Sequence, residues 1–165
     1  MDKKRKFCVA PMMGYTTPHA RKLYRLLSNN AFLFTEMIAS KTMVHSLNRD
    51  QIIKNDIENS IALQVGGSDI NELANCAKIA KSYNYEEINL NVGCPSKKVQ
   101  NGSFGVCLMK NKNLVKNCLD SMLHAADIEV TVKCRIGIGR EFNYDFFYTF
   151  IDEITKSGIK IIYVH

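Results

Sequence analysis

No apolar run in this 165-residue chain approaches the ~18 residues that a membrane-spanning helix needs. The charged opening from Met1 to Lys6 leads into a strand-like segment, not the longer apolar stretch and cleavage site of a signal peptide. A soluble, cytoplasmic protein with no membrane partner is the expectation. The six cysteines, Cys8, Cys76, Cys94, Cys107, Cys118 and Cys134, form no CxxC pair. Neither a zinc site nor a disulfide framework is therefore expected, and most of the thiols read as small buried hydrophobes. A GxGxxG fingerprint and a Walker loop are also missing; Gly137-Ile138-Gly139 follows a strand-like run but lacks the third glycine. This argues against a dinucleotide-binding or nucleotide-hydrolysing domain. There is no low-complexity tract.

What is present suffices for a sizeable core: 46% of the residues are hydrophobic. The net charge of +6 and pI near 9.0 permit a polyanionic partner such as RNA, although a general bias toward lysine gives the same figure. Along the chain, short apolar runs alternate with longer segments of helical period. The predicted strands are Phe7 to Ala10, Phe32 to Thr35, Ile61 to Val65, Glu87 to Val92, Val130 to Lys133 and Ile161 to His165. They read as apolar rather than alternating, as parallel strands covered on both faces do.

The helices carry start and stop signals. Thr17-Pro18 reads as an N-cap and first helical residue, opening a helix with Leu23, Leu26 and Leu27 on one side. Asp69 and Glu72 have capping-box spacing ahead of a stripe of Leu73, Cys76, Ala77 and Ala80. A helix from about Asn113 to Ala126 turns Val115, Cys118, Leu119 and Met122 inward. Another starts near Asn143 with Phe146, Phe147, Phe150, Ile151 and Ile154 as its stripe, and Gly158 is a left-handed stop. Successive parallel βα units fit either a doubly wound sheet or a (β/α)8 TIM barrel. The unusual polar residues fall at the carboxyl ends of successive strands, where barrel active sites lie. The barrel is the expected fold, incomplete, with about six of eight βα units. The closing apolar run, ending at His165 without a following helix, reads as truncation, because an open barrel would expose strand edges.

The strand-end residues are the candidates for chemistry. Gln64, in Leu63-Gln64-Val65-Gly66-Gly67, must find hydrogen-bond partners if buried, either a neighbouring backbone or the edge of a heteroaromatic ligand. Asn89 and Asn91 share one side of a strand that ends Val92-Gly93-Cys94-Pro95-Ser96. Pro95 stiffens the loop holding Cys94, while Lys97 and Lys98 are placed to favour a thiolate; a functional and a structural cysteine both remain open here. The glycines of the stretch Val99 to Leu108 suit a mobile segment over a ligand, and Cys107 is assigned to packing. Lys133 and Arg135 alternate to one face, and a buried lysine calls for an anionic ligand, a carboxylate partner such as Glu36, or escape of its ammonium to solvent. His165 is either a core imidazole or a member of this set.

The segments Val9-Ala10-Pro11-Met12, Phe34-Thr35-Glu36-Met37, Ala62 to Ser68, Ile88 to Ser96, Val130 to Lys133, Arg135-Ile136-Gly137 and Val164-His165 together resemble the tRNA-dihydrouridine synthase family, and look most like its bacterial dihydrouridine synthase A branch. The resemblance implies an FMN-binding TIM-barrel domain whose amino-terminal part is residues 1–165, with the later strands, the FMN phosphate site and a helical tRNA-binding domain outside them. It further implies that Pro11 and Met12 line the flavin ring, that Gln64 and Lys133 bond its polar edge, and that His165 contacts it. Asn91 and Arg135 would orient the target uracil, and Cys94 would be the general acid. FMN and NADPH are the implied cofactors and tRNA the partner; no metal is expected, and a monomer is. One departure is Cys134, where that branch often carries His, on the side facing away from Lys133 and Arg135. Two rival readings are a Schiff-base aldolase barrel using Lys133 and a non-catalytic RNA-binding remnant.

Overall fold

The computed structural model describes residues 5–47, 60–97, 99, 102–139 and 143–165. Lys98, Gln100 and Asn101 of the cysteine loop lie outside the described residues. The strands are β1 (Cys8–Val9), β2 (Phe32–Phe34), β3 (Ile38–Ala39), β4 (Ile61–Gly66), β5 (Glu87–Val92), β6 (Glu129–Cys134) and β7 (Ile162–Val164). All pair in parallel, in the order β1-β2-β4-β5-β6-β7, with β3 also on β4. The helices are α1 (Pro18–Leu27), α2 (Ser40–His45), α3 (Ile70–Ser82), α4 (Lys112–Ala125) and α5 (Tyr144–Thr155), with a 3-10 helix at Gly105–Lys110. Strand order that follows chain order, with helical crossovers, is the pattern of a barrel wall rather than a doubly wound sheet. The sheet curls enough for its ends to meet: Arg5, before β1, donates to the Tyr163 hydroxyl of β7 (3.2 Å), and the Phe34 and Tyr163 rings pack edge to face at 5.1 Å. The fold is an incomplete (β/α)8 TIM barrel.

The caps follow local chemistry. Thr17, Asp69, Asn111 and Asn143 each accept a first-turn N–H through the side chain, satisfying a donor that the helix cannot. Gly158, at φ +91, ends α5 in the conformation that glycine adopts most cheaply. Leu73, Cys76, Ala77 and Ala80 of α3 and Val115, Cys118, Leu119 and Met122 of α4 are buried. They join Leu33, Leu63, Leu90 and Val132 of the sheet in one core. On α5, Phe150 and Ile154 are buried while Phe146, Phe147 and Ile151 pack at the margin. Among the described residues no helix is long and apolar enough to cross a membrane.

Three expectations change. The leucines of α1 share a side, but it faces outward: Leu23, Leu26 and Leu27 are 54%, 79% and 76% exposed, and the buried side chain is Arg21, which donates to the Thr16 carbonyl at 2.6 Å. The second strand is interrupted after Phe34 and resumes as β3; across the break the Thr35 hydroxyl accepts the Gln64 N–H at 3.0 Å, taking the place of a ladder carbonyl. The strands are also less uniformly apolar than expected. Leu63, Ile88, Leu90, Val130 and Val132 point to the helices. Their alternates Gln64, Glu87, Asn89 and Thr131 point into the barrel, where all four are at most 1% exposed. Among the described residues, Phe32, Phe34 and Ala62, with Cys8 and Tyr163 against them, form the apolar part of that interior.

Candidate active site

Cys94 follows β5 on a loop that is fixed through its backbone. The Asn91 carboxamide oxygen accepts the N–H groups of Gly93 (3.1 Å) and Cys94 (2.9 Å). From the next strand, Arg135 Nε donates to the Gly93 carbonyl at 2.8 Å. The Cys94 carbonyl accepts from Val106 N–H at 3.0 Å. Among the described residues the half-buried thiol has one hydrogen-bond partner, the Ser96 hydroxyl at 3.6 Å; Lys97 is exposed.

The stretch expected to be a mobile cover is instead packed where it is described. Val106, Leu108 and Met109 of the 3-10 helix are buried in the main core, and the Cys107 thiol donates to the Phe104 carbonyl at 3.0 Å. Gly105 makes this possible: its φ is +72, and a Cβ there would lie 2.5 Å from Val99 Cγ1 and 2.7 Å from the Cys94 carbonyl oxygen. A left-handed residue with a Cβ costs about 1–2 kcal/mol, and the backbone oxygen has no room to yield. Gly105→Ala is expected to lower unfolding free energy by roughly 2–4 kcal/mol, read by urea denaturation, and to alter the rate at which iodoacetamide labels Cys94. Unchanged stability and labelling would show that the loop accommodates the methyl group.

Gln64 is deeper than its position near a strand end suggests. It is 1% exposed, donates from Nε2 to Asn89 Oδ1 (2.8 Å) and accepts on Oε1 from Asn91 Nδ2 (2.9 Å). These two bonds use one Nε2 hydrogen and one Oε1 lone pair of the two that each group offers. Lys133 pairs in register with Asn91 on the inner face and is half-buried. Burial, then the nearby Arg135 charge, hold its ammonium below the usual lysine range. The proposed Glu36 partner is not its counter-ion: Glu36 accepts the Gly14 N–H at 2.6 Å, and Lys133 has no ion pair or hydrogen bond among the described residues. Cys134 lies on the other face, wholly buried against the helices, where burial pushes its thiol up to about 11.

The remaining residues sit on the same rim. His165 is exposed and extends the β6–β7 pairing, its N–H donating to the Cys134 carbonyl (3.1 Å) one step from Arg135. Pro11 is half-buried and Met12 is 42% exposed, on the β1 loop that Thr16 closes by accepting Met12 N–H at 3.0 Å. Hydrogen bonds thus join Gln64, Asn91, Arg135 and the Cys94 loop, and register adds Lys133. Among the described residues no side-chain hydrogen bond ties Pro11, Met12 or the His165 ring to them. Among the described residues no group of three or more His, Cys, Asp or Glu side chains could hold a metal ion.

Sequence reasoning missed the floor beneath this site. Glu87, fully buried, accepts from Arg5 Nη2 (2.9 Å), the Tyr163 hydroxyl (3.2 Å) and the Thr131 hydroxyl. Burial pushes its carboxyl up, and the bonds from Thr131 and Arg5 oppose that shift. The available signal was phase: Glu87 alternates with Asn89 and Asn91 on one strand face. Nothing local marked Arg5, one charge in a charged opening, as an interior residue.

Among the described residues, a half-buried cation without a counter-ion, two amides and a clamped cysteine stand at the carboxyl ends of barrel strands, where barrel active sites lie. Residues 8–165 match the family described as Dihydrouridine synthase (Dus). The chain is similar to the tRNA-dihydrouridine(20/20a) synthase of Shewanella oneidensis, 47% identical over 161 residues, which are 98% of this chain and 48% of that protein. Its similarity to the namesake of Pasteurella multocida is 45% over 160 residues, 97% of this chain and 49% of the other. With that of Escherichia coli K12 it is 47% over 153 residues, 93% and 44%. The chain spans about half the length of the curated relatives it matches. On this match across its barrel strands, the chain belongs to the dihydrouridine synthase family.

Proposed function

We propose that this chain carries the catalytic residues of an enzyme that reduces the C5–C6 double bond of a tRNA uridine to dihydrouridine, using FMN and NADPH, at the 20/20a sites named for its relatives. The observation that carries the reading is Lys133, a half-buried ammonium with no partner among the described residues, in register with Asn91, whose oxygen holds the Cys94 N–H.

The residues fit a flavin. Lys133 offers a positive charge to the N1–C2 edge of the ring, and Gln64 offers its remaining amide hydrogen and lone pair. Pro11 and Met12 are proposed to line the ring and His165 to touch it. When bound, FMN supplies the hydride that adds to C6 of the uracil and is recharged by NADPH. Cys94 holds the proton that C5 receives, from a loop whose position depends on no atom of its side chain. Once the proton has left, the Ser96 hydroxyl at 3.6 Å is the group positioned to donate to the sulfur. Arg135, with its Nε committed to Gly93, keeps its terminal nitrogens for the uracil carbonyls. Asn91 spends its oxygen on the loop and keeps one Nδ2 hydrogen for substrate. The base must leave its stack to reach them, and the basic surface would hold tRNA phosphates with strong salt dependence.

A depressed lysine also suits Schiff-base chemistry, but that reading leaves Gln64, the Asn91 clamp and Cys94 without roles. The test is titration of the purified protein with FMN, followed by flavin absorption. Saturable binding is expected, weakened about tenfold by Gln64→Leu, as for one lost hydrogen bond. A folded protein that binds no FMN, and whose Lys133 is trapped by borohydride with a carbonyl compound, would replace the reading with the aldolase one. Flavin loss with retained, salt-sensitive tRNA binding would point to an RNA-binding remnant.

A further inference from the structure

The amides beneath the site belong to one hydrogen-bond chain with a fixed direction. At its lower end the Glu87 carboxylate can only accept, and it takes the single hydroxyl hydrogen of Thr131. Thr131 must then accept, and it does so from Asn89 Nδ2 at 2.7 Å. That turns Asn89 Oδ1 toward Gln64, which must present Nε2 at 2.8 Å. Gln64 Oε1 is thereby turned to Asn91, which gives Nδ2 at 2.9 Å and leaves Oδ1 for the N–H groups of Gly93 and Cys94. Those N–H groups can only donate. Both ends of the chain therefore demand the same orientation of all three amides. An isolated buried amide has no such constraint, since its two ends differ little in shape.

We propose that Glu87 and Thr131 are positioning residues, which set through Asn89 the orientation in which Gln64 meets its ligand and in which Asn91 holds the Cys94 loop. The ligand side of this proposal rests on the flavin reading above; the orientation of the amides does not. Neither residue touches the site: both are fully buried below it. Arg5 and Tyr163 hold the second carboxylate oxygen, so Glu87 has Oε1 free to anchor Thr131.

Thr131→Val keeps the shape and removes the hydroxyl; Thr131→Ser keeps the hydroxyl and loses a methyl. In the valine variant the side-chain amide hydrogens of Asn89 and Gln64 are expected to exchange with solvent roughly tenfold faster, as for one lost hydrogen bond. The backbone amides of Leu90 and Val132 should hold their wild-type protection. FMN affinity should fall by a similar factor, and the serine variant should restore both. The proposal is overturned if the valine variant exchanges and binds like wild type. It is equally overturned if valine and serine lose protection alike across Leu90 and Val132, which is general loosening of the barrel. Should wild type bind no FMN, the flavin reading falls and the exchange pattern alone decides the relay.

Discussion

Replacing Cys94 by alanine is expected to slow formation of dihydrouridine by about 10²–10⁴-fold, the usual worth of a positioned general acid, while FMN binding stays within twofold. The selectivity follows from how the loop is built. Asn91 holds the Cys94 N–H, Val106 holds its carbonyl, and Arg135 holds the preceding carbonyl; none of these bonds uses sulfur. Removing the thiol leaves the loop in place and should move stability by no more than about 0.5 kcal/mol. Single-turnover reduction of tRNA by the pre-reduced enzyme reports the step directly, and flavin absorption reports the cofactor. Turnover within threefold of wild type would remove Cys94 as the acid. A parallel loss of flavin would make the cysteine a binding residue instead.

Much of the wall and rim was legible because both obey local rules. Alternation between short apolar runs and helical stripes marked six strands, and caps at Thr17 and Asp69 followed from side-chain oxygens placed before apolar stripes. The strand-end polar residues stood out because polarity in an apolar run is costly without a partner. What local pattern hides is partnership. Lys133 with Glu36 was a reasonable pair by charge, yet Glu36 is occupied by the Gly14 N–H. The break between β2 and β3 depends on Thr35 replacing a ladder carbonyl for Gln64, a contact between residues far apart in the chain. The leucine side of α1 shows that periodicity gives a face but not its direction. Within the stretch after Cys94, Gly105 has a packing reason of its own, since it turns left-handed against the Cys94 carbonyl. Glu87 was missed for a related reason: it follows Glu86 at the start of a strand, and its partners Arg5, Thr131 and Tyr163 come from three other places in the chain.

The ammonium of Lys133, without a partner among the described residues, predicts opposite effects on stability and on binding. Its folded value lies below the ordinary 10.5 because burial and Arg135 disfavour the charge. A depressed lysine favours folding only as it loses its proton, so stability rises with pH through the interval between the folded value and 10.5. Below that interval the fold carries the cost of a poorly solvated cation, reduced because the group is only half-buried. Lys133→Met, which keeps the packing of the stem, should therefore raise unfolding free energy at neutral pH by roughly 0.5–1 kcal/mol and flatten its alkaline pH dependence. FMN affinity should move the other way, falling ~10–100-fold as a charge-assisted hydrogen bond is lost. In wild type that affinity should weaken as pH rises through the lysine's titration, and in the methionine variant it should not. Urea unfolding and flavin titration across pH 6–11 measure both; a methionine variant that is less stable yet binds FMN as well would mean that Lys133 is held by a partner of its own rather than kept for an anionic ligand.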